Sequence, residues 1–172
     1  PELALRPNVM DTADGLSKYP YIRESRRVRA VRVILEQEIA ARWQPGARAA
    51  PMLDSVGVGL YAIDIHPAEG ETKLPPEAAR PFQIPLGAMI PIRLENLLPA
   101  CKNIGTTHIT NGAYRLHPVE WNIGESAGCL AAFALAEKIT LRQVLEEPRL
   151  TRRFQAELVA QGVPLSWMVD VL

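Results

Sequence analysis

The chain has 172 residues, of which 48% are hydrophobic, and its 19 basic side chains balance its 19 acidic ones. This composition is typical of a globular domain with a core of useful size. A formal net charge of zero provides no field that would draw the protein to nucleic acid or to a membrane surface, so neither partner is expected. The longest apolar run, residues 127–136, covers half a membrane span, and we expect a soluble cytoplasmic protein.

The beginning of the chain lacks the patterns that start a core. It opens on Pro1, and the first 27 residues contain three prolines and little apolar periodicity. We therefore interpret the sequence as part of a longer protein. The two cysteines, Cys101 and Cys129, lack the spacing of a zinc or disulfide motif and are expected to be small buried residues.

The first predicted strand covers residues 28–35. Val31, Val33 and Leu35 alternate on one face, and the arginines on the other face indicate either a solvated surface or one aimed at an anionic group. A short helix is predicted for residues 36–43, where Pro45 and Gly46 follow.

The second predicted strand covers residues 56–65. Its two glycines, Gly57 and Gly59, share one face, where another backbone or a ligand can come close. The prolines and charges of residues 68–81 indicate an exposed loop. Residues 82–91 are predicted to be extended but broken by prolines, and residues 95–101 to form a short buried strand.

The middle of the chain carries most of the polar groups. Residues 102–122 have no periodicity and are predicted to form a long functional loop. A helix over residues 124–137, rich in alanine and glycine, would pack closely against a sheet. The last third is predicted to be helical, with a capping box at Thr140 and a further helix start at Pro148.

The polar loop and the helix after it suggest a site for negative charge. A helix start at Gly124 would leave the backbone amides of Asn122, Ile123 and Gly124 free to hold a carbonyl or phosphate oxygen. In an extended segment, Arg115 and His117 would point to the same side, one fixing charge and the other moving protons. Alternatively, Arg115 is a salt-bridge partner and His117 a structural histidine.

Other chemistry finds little support. The three histidines lack metal-ligand spacing, and no metal site is expected. Ser126 would lie inside a helix, not on a nucleophile elbow. Neither G-x-x-x-x-G-K-[ST] nor G-x-G-x-x-G occurs, so the chain has no motif that cradles a nucleotide phosphate.

Several segments together resemble a known family. The segments that carry this resemblance are, in chain order, residues 23–27, 64–67, 85–91, 95–105 and 108–128. The chain resembles the C-terminal part of FAD-dependent oxidoreductases of the glutathione-reductase-like flavoprotein superfamily. The resemblance extends from about residue 19 to residue 167. It implies hydride transfer from a small-molecule substrate to FAD.

The resemblance also implies roles for individual residues. Residues 96–100 would be the last strand of the FAD domain, and the helix from Gly124 would face the pyrimidine end of the flavin ring. The strands at 28–35 and 56–65 would belong to the substrate domain, over the flavin face. Arg115 and His117 would orient substrate or shuttle a proton as catalytic residues. The implied cofactor-binding residues are Asn103, Gly105, Asn122, Ile123 and Gly124.

The sequence departs from the family at the nucleotide end of the cofactor site. Because G-x-G-x-x-G is missing, we expect no tight FAD binding without a further N-terminal FAD-binding segment as partner. Cys101 stands where glycine is common, and Pro99 interrupts the predicted strand.

The predicted fold is α+β, with an antiparallel substrate-domain sheet, the C-terminal strand and helix of a Rossmann-like FAD domain, and a helical tail. The expected divisions are residues 1–92, 93–138 and 139–172. The alternative is a self-standing binding or assembly module without catalytic activity. An exposed apolar sheet edge at Leu97 and Leu98, covered by self-association, would favour the flavoprotein.

Overall fold

Two short antiparallel strands crossed by one long helix form the centre of the computed structural model, which describes residues 5–19, 22, 26–66, 72 and 75–168. Strand β1 (Ser55–Gly59) pairs with strand β2 (Phe82–Pro85), with an irregular register between Ser55 and Gly57. The helices are α1 (Pro7–Met10), α2 (His108–Tyr114), α3 (His117–Glu137), α4 (Leu141–Glu146) and α5 (Pro148–Ala160).

The glycines of β1 allow α3 to lie directly on the sheet. A Cβ atom at Gly57 would lie 2.0 Å from the Asn122 side-chain oxygen, and one at Gly59 would lie 2.3 Å from the Phe82 ring. The predicted close approach at these glycines is therefore confirmed, and the element that approaches at Gly57 is α3. The predicted strand ends at Gly59 and does not continue to residue 65.

Two polar side chains of α3 bond to the backbone of β1. The Val58 amide donates to Asn122 Oδ1 at 2.8 Å, and Ser126 Oγ donates to the Val56 carbonyl at 2.6 Å. These bonds satisfy backbone groups that a third strand would otherwise pair. The buried face of α3 then continues the core along Ile123, Leu130 and Phe133.

Residues 28–35 are extended but bury the face opposite to the predicted one. Ala30 and Ile34 are buried, whereas Val31 and Val33 are nearly half exposed. The segment makes isolated bridges from Ala30 to Pro91 and from Ile34 to Thr106, not a regular strand. Arg32 points to the same side as the buried residues Ala30 and Ile34. Two carboxylates of the protein contact its half-buried guanidinium and compensate its charge there.

Those carboxylates belong to Glu38 and Asp54. Arg32 Nη1 lies 3.2 Å from Asp54 Oδ1, and the Glu38 pairing is closer. The arginine face was predicted to be either solvated or aimed at an anionic group. Arg32 is aimed at anionic groups, but these are carboxylates of the protein itself. The predicted helix at residues 36–43 is a single 3-10 turn, Glu36–Glu38, followed by further turns.

The buried strand predicted for residues 95–101 does not form. Residues 95–97 are exposed, Leu98 and Cys101 are half-buried, and only Pro99 is buried. Within the part of the chain that the structure describes, the two-stranded sheet lies elsewhere and offers this segment no neighbouring strand. The last strand of an FAD domain, which the resemblance implied at residues 96–100, is therefore absent, as is a sheet edge at Leu97.

The helical tail follows its sequence signals. Thr140 Oγ1 accepts from the Gln143 amide and caps α4, and α5 begins at Pro148 as predicted. Phe154 and Leu158 are fully buried, and Gly162 ends the segment with φ of +88°. The Ser55 hydroxyl and the Gln83 side-chain amide both donate to the Leu165 carbonyl, so the residues after α5 lie against the sheet.

The described fold is α+β, with a small antiparallel sheet and mostly helical surroundings, as predicted in outline. The division at residues 92 and 138 stays a prediction. Residues 68–71, 73 and 74 of the predicted exposed loop at residues 68–81, and residues 23–25 of the arginine-rich segment, lie outside the described residues. The described part of the loop is exposed or half-buried except for Pro81, which is buried. Among the helices described, none has the length and apolarity to cross a membrane.

We predict opposite effects of two glycine-to-alanine substitutions. Gly105 lies where three backbone segments cross, and a Cβ there would lie 2.4 Å from the Arg32 carbonyl oxygen. Gly105→Ala should lower the free energy of unfolding by about 1–3 kcal/mol through overpacking. Gly128 lies exposed inside α3, with open space around its Cβ position, so Gly128→Ala should stabilise the helix by up to about 1 kcal/mol. Urea denaturation measures both, and equal effects would contradict the packing described.

Candidate functional site

Two helices occupy most of the polar segment that was predicted to be a loop. Helix α2 is capped by Thr107, whose hydroxyl accepts from the Thr110 amide at 3.1 Å while Thr110 Oγ1 accepts from the Thr107 amide. Asn111 Nδ2 donates to the Lys102 carbonyl at 2.9 Å and so ties α2 to the preceding turn. The pair of threonines three residues apart was the sequence signal for this helix.

Helix α3 begins at His117, seven residues before the predicted start at Gly124. The prediction of free amides at Asn122, Ile123 and Gly124 is therefore wrong, because these residues lie inside the helix, where amides donate to carbonyls four residues earlier. Pro118 lies in the first turn of α3, where proline is tolerated. It was therefore the sequence signal for the observed start of the helix.

The positive end of α3 therefore lies at residues 116–119. Leu116 is the N-cap residue, and its side chain makes no capping hydrogen bond. A helix of 21 residues carries roughly half a positive charge at such an end. Glu120 places one carboxylate in the same turn, and the remaining positive field of this end is suited to a group that carries or develops negative charge.

A cleft of about 400 Å³ borders this end of α3. Aromatic rings form much of its wall, and Glu125 is the charged side chain among its described lining. The Trp167 indole is fixed there because its N–H lies 3.2 Å from the carbonyl oxygens of both Gly59 and Phe82. The lining residues are Val58, Gly59, Leu60, Tyr61, Leu116, Pro118, Val119, Trp121, Asn122, Glu125, Pro164 and Trp167.

Arg115 and His117 do not point to the same side, as an extended segment would have required. Arg115 is the C-cap residue of α2, and its side chain is 6% exposed. Its Nη2 donates to the Asp64 carbonyl at 2.7 Å and lies 3.9 Å from the Asp64 carboxylate. His117 is exposed and stacks on Trp121 with 6.4 Å between ring centroids. The turn between α2 and α3 separates the two side chains.

Arg115 instead contacts Asp64, and Asp64 in turn contacts His66. The sequence analysis assigned no role to either Asp64 or His66. His66 Nε2 lies 3.1 Å from Asp64 Oδ2, and the other carboxylate oxygen, Oδ1, is buried with no hydrogen-bond partner among the described residues. The available signal was the Asp-x-His spacing, since alternate residues of an extended segment share a face.

Asn103 and Gly105 have structural contacts in the described residues. The Asn103 carbonyl accepts from the Val28 amide at 2.9 Å. The Gly105 amide donates to the Ala88 carbonyl at 2.8 Å, and its own carbonyl accepts from Ile34. Contact of these two residues with a cofactor stays a prediction.

The cysteines give no indication of redox or metal chemistry. Both are free thiols and half-buried, less enclosed than predicted. Burial, chiefly, raises the pKa of the Cys129 thiol, and its Sγ donates to Gln161 Oε1 at 3.2 Å. Among the residues described, no group of three histidine, cysteine or carboxylate side chains has the arrangement of a metal site.

We predict that Asn122 stabilises the fold whatever else it contacts. Asn122→Ala leaves the Val58 amide without its acceptor and should lower the free energy of unfolding by about 1–2 kcal/mol. The matched control is Glu125→Ala, an exposed change one turn along α3, which should stay within about 0.5 kcal/mol of the parent. Urea denaturation separates them, and an unchanged Asn122→Ala midpoint would contradict the anchoring of α3.

Comparison with known proteins supports the earlier resemblance at family level. The family model described as FAD dependent oxidoreductase matches residues 4–158, which is most of the chain. No curated protein matches, and no solved structure matches. The chain belongs to the FAD dependent oxidoreductase family.

Proposed function

We propose that the chain supplies the flavin-ring end of the FAD site, and part of the substrate site, of an oxidoreductase that takes a hydride from a small-molecule substrate. The observation that carries this proposal is the uncapped positive end of α3 beside the aromatic cleft. FAD, when bound, supplies the hydride acceptor.

The residues at this end suit a flavin ring in two respects. Negative charge develops on the pyrimidine part of the ring during reduction, and a helix N-terminus stabilises such charge. The cleft walls contributed by Tyr61, Trp121 and Trp167 suit a planar apolar guest. Family membership supports the same cofactor.

The nucleotide half of FAD requires a further segment in this proposal. The sequence contains no G-x-G-x-x-G, so another segment would hold the pyrophosphate. An apolar groove of about 540 Å³ borders the opposite part of α3, and Leu98, Ala131, Leu135 and Leu141 are among its lining residues. Leu135 is 80% exposed, which supports docking of such a segment there.

The predicted catalytic pair takes two separate roles in the proposal. Arg115 holds Asp64 and does not reach substrate itself, as its buried contacts indicate. His117 lies between Leu116 and Pro118, which line the cleft, and its ring stacks on Trp121. Of the pair, it is the residue proposed to orient a substrate.

The same apolar groove favours one alternative, a binding or assembly module without catalysis. A partner protein would then cover Leu135 and Leu141. An FAD titration of the complete protein distinguishes the two functions. A complete protein that binds no flavin would support the assembly module and contradict the flavoprotein.

We predict that a negative charge at the start of α3 weakens the flavin site. In the complete reading frame that encodes this chain, His117→Glu is compared with the neutral His117→Gln. The glutamate should lower FAD affinity about two- to fivefold and lower the reduction potential of bound FAD, because it opposes the charge on the ring.

The matched control is Ala132→Glu, an exposed change about 22 Å along the same helix, which should leave both quantities unchanged. Calorimetric titration and spectroelectrochemistry measure the affinity and the potential. A parent protein that retains no visible flavin absorbance after FAD is added and unbound FAD is removed would contradict the proposed function outright.

A further inference from the structure

Three polar side chains form a chain of contacts beside the turn between α2 and α3. The Asp64 carboxylate lies between the Arg115 guanidinium, 3.9 Å away, and the His66 ring, 3.1 Å away. Burial increases along this chain of contacts, because the side chain of His66 is 33% exposed, that of Asp64 17% and that of Arg115 6%. The histidine is thus the accessible end of a buried, charge-balanced pair.

The surrounding backbone fixes this arrangement. Gly112 of α2 lies against the Asp64 backbone, and a Cβ there would be 2.9 Å from the Asp64 carbonyl oxygen. The same carbonyl accepts from Arg115 at 2.7 Å. Arg115 immediately precedes Leu116, the N-cap of α3. Asp64 is therefore held against the end of α3 that borders the cleft.

A carboxylate on one ring nitrogen sets the tautomer of a histidine and leaves the other nitrogen available. In the neutral ring, Nε2–H donates to Asp64 Oδ2 at 3.1 Å and the lone pair is on Nδ1. A ring in this state can accept a proton at Nδ1, and the carboxylate stabilises the imidazolium that results.

We propose that His66 is the proton acceptor of the oxidation, positioned by Asp64, which Arg115 holds in turn. This inference rests on the proposed function. The substrate carbon bears an O–H or N–H group: the proton of that group moves to His66 Nδ1, and the hydrogen on carbon leaves with its electron pair to FAD. The carbon–oxygen or carbon–nitrogen double bond forms from the electrons of the broken O–H or N–H bond.

The assignment identifies alcohols and amines as the substrate class. His66, not His117, is the proton acceptor because its ring contacts the mostly buried carboxylate of Asp64, whereas the ring of His117 stacks on Trp121. The charged groups beside the His66 ring are Asp64, on the same segment, and Arg115, at the end of α2, which contacts Asp64.

The dyad itself is tested without any cofactor or substrate. In protein labelled with nitrogen-15 at histidine, His66→Gln, His108→Gln and His117→Gln each remove one of the three ring signals and so assign them. The His66 Nε2–H should exchange slowly with water and give a visible proton signal. Asp64→Ala should abolish that signal, whereas His108→Gln should leave it unchanged. A His66 Nε2–H in fast exchange would overturn the dyad.

The proton transfer is tested in the FAD-loaded product of the complete reading frame. A panel of primary alcohols and primary amines is mixed anaerobically with it, and loss of visible flavin absorbance gives the reduction rate. His66→Gln should be about 10²- to 10⁴-fold slower than the parent. Asp64→Asn should fall between His66→Gln and the parent, and His108→Gln should match the parent.

The outcomes separate the two proposals. If no panel member bleaches the parent protein, the proposed function fails and the proton role fails with it. If the parent is bleached and His66→Gln keeps the parental rate, the proton role alone is overturned. Asp64→Asn retains the histidine, so a parental rate in that variant contradicts its positioning even if His66→Gln does not fold.

Discussion

The contact between α3 and the edge of β1 is the constraint on which the rest of the structure depends. Gly57 removes the side chain that would keep the helix away, and Asn122 and Ser126 then bond to the exposed backbone of the strand. A two-stranded sheet on its own is only marginally stable in water. With one helix bonded to its edge, the sheet becomes part of a continuous core.

This contact also determines where the site lies. With α3 fixed on β1 at Asn122, its first turn lies beside the residues that follow β1. The turn before α3 contributes Arg115, which reaches the Asp64 carbonyl and carboxylate. The positive end of the helix and the cleft are thereby brought together, and Asp64 is held beside the turn that precedes α3. The proposed chemistry also uses His66, which contacts Asp64.

Features encoded by short-range chemistry could be predicted from sequence. The capping box at Thr140 and the helix start at Pro148 each depend on a few neighbouring residues. The missed start of α3 also had a local signal in Pro118. Polar residues with low helix propensity before it concealed that signal, and tertiary packing decided the conformation.

Features that depend on distant partners could not be predicted in the same way. The inward orientation of Arg32 requires Asp54 and Glu38, and the alternating pattern around it fits either face equally well. Residues 95–101 have the apolar composition of a strand, but a strand forms only beside a partner. The hydrogen bond from Arg115 to Asp64 joins residues 51 positions apart, and no local sequence pattern specifies such a contact.

We propose that the first turn of α3 faces the pyrimidine part of bound FAD. The most direct measurement is the NMR spectrum of FAD labelled with carbon-13 at the C2 carbonyl, bound to the complete protein. A downfield shift from free FAD, as hydrogen bonding and a positive field polarise that carbonyl, is the predicted result. A C2 resonance at its free position would contradict the account.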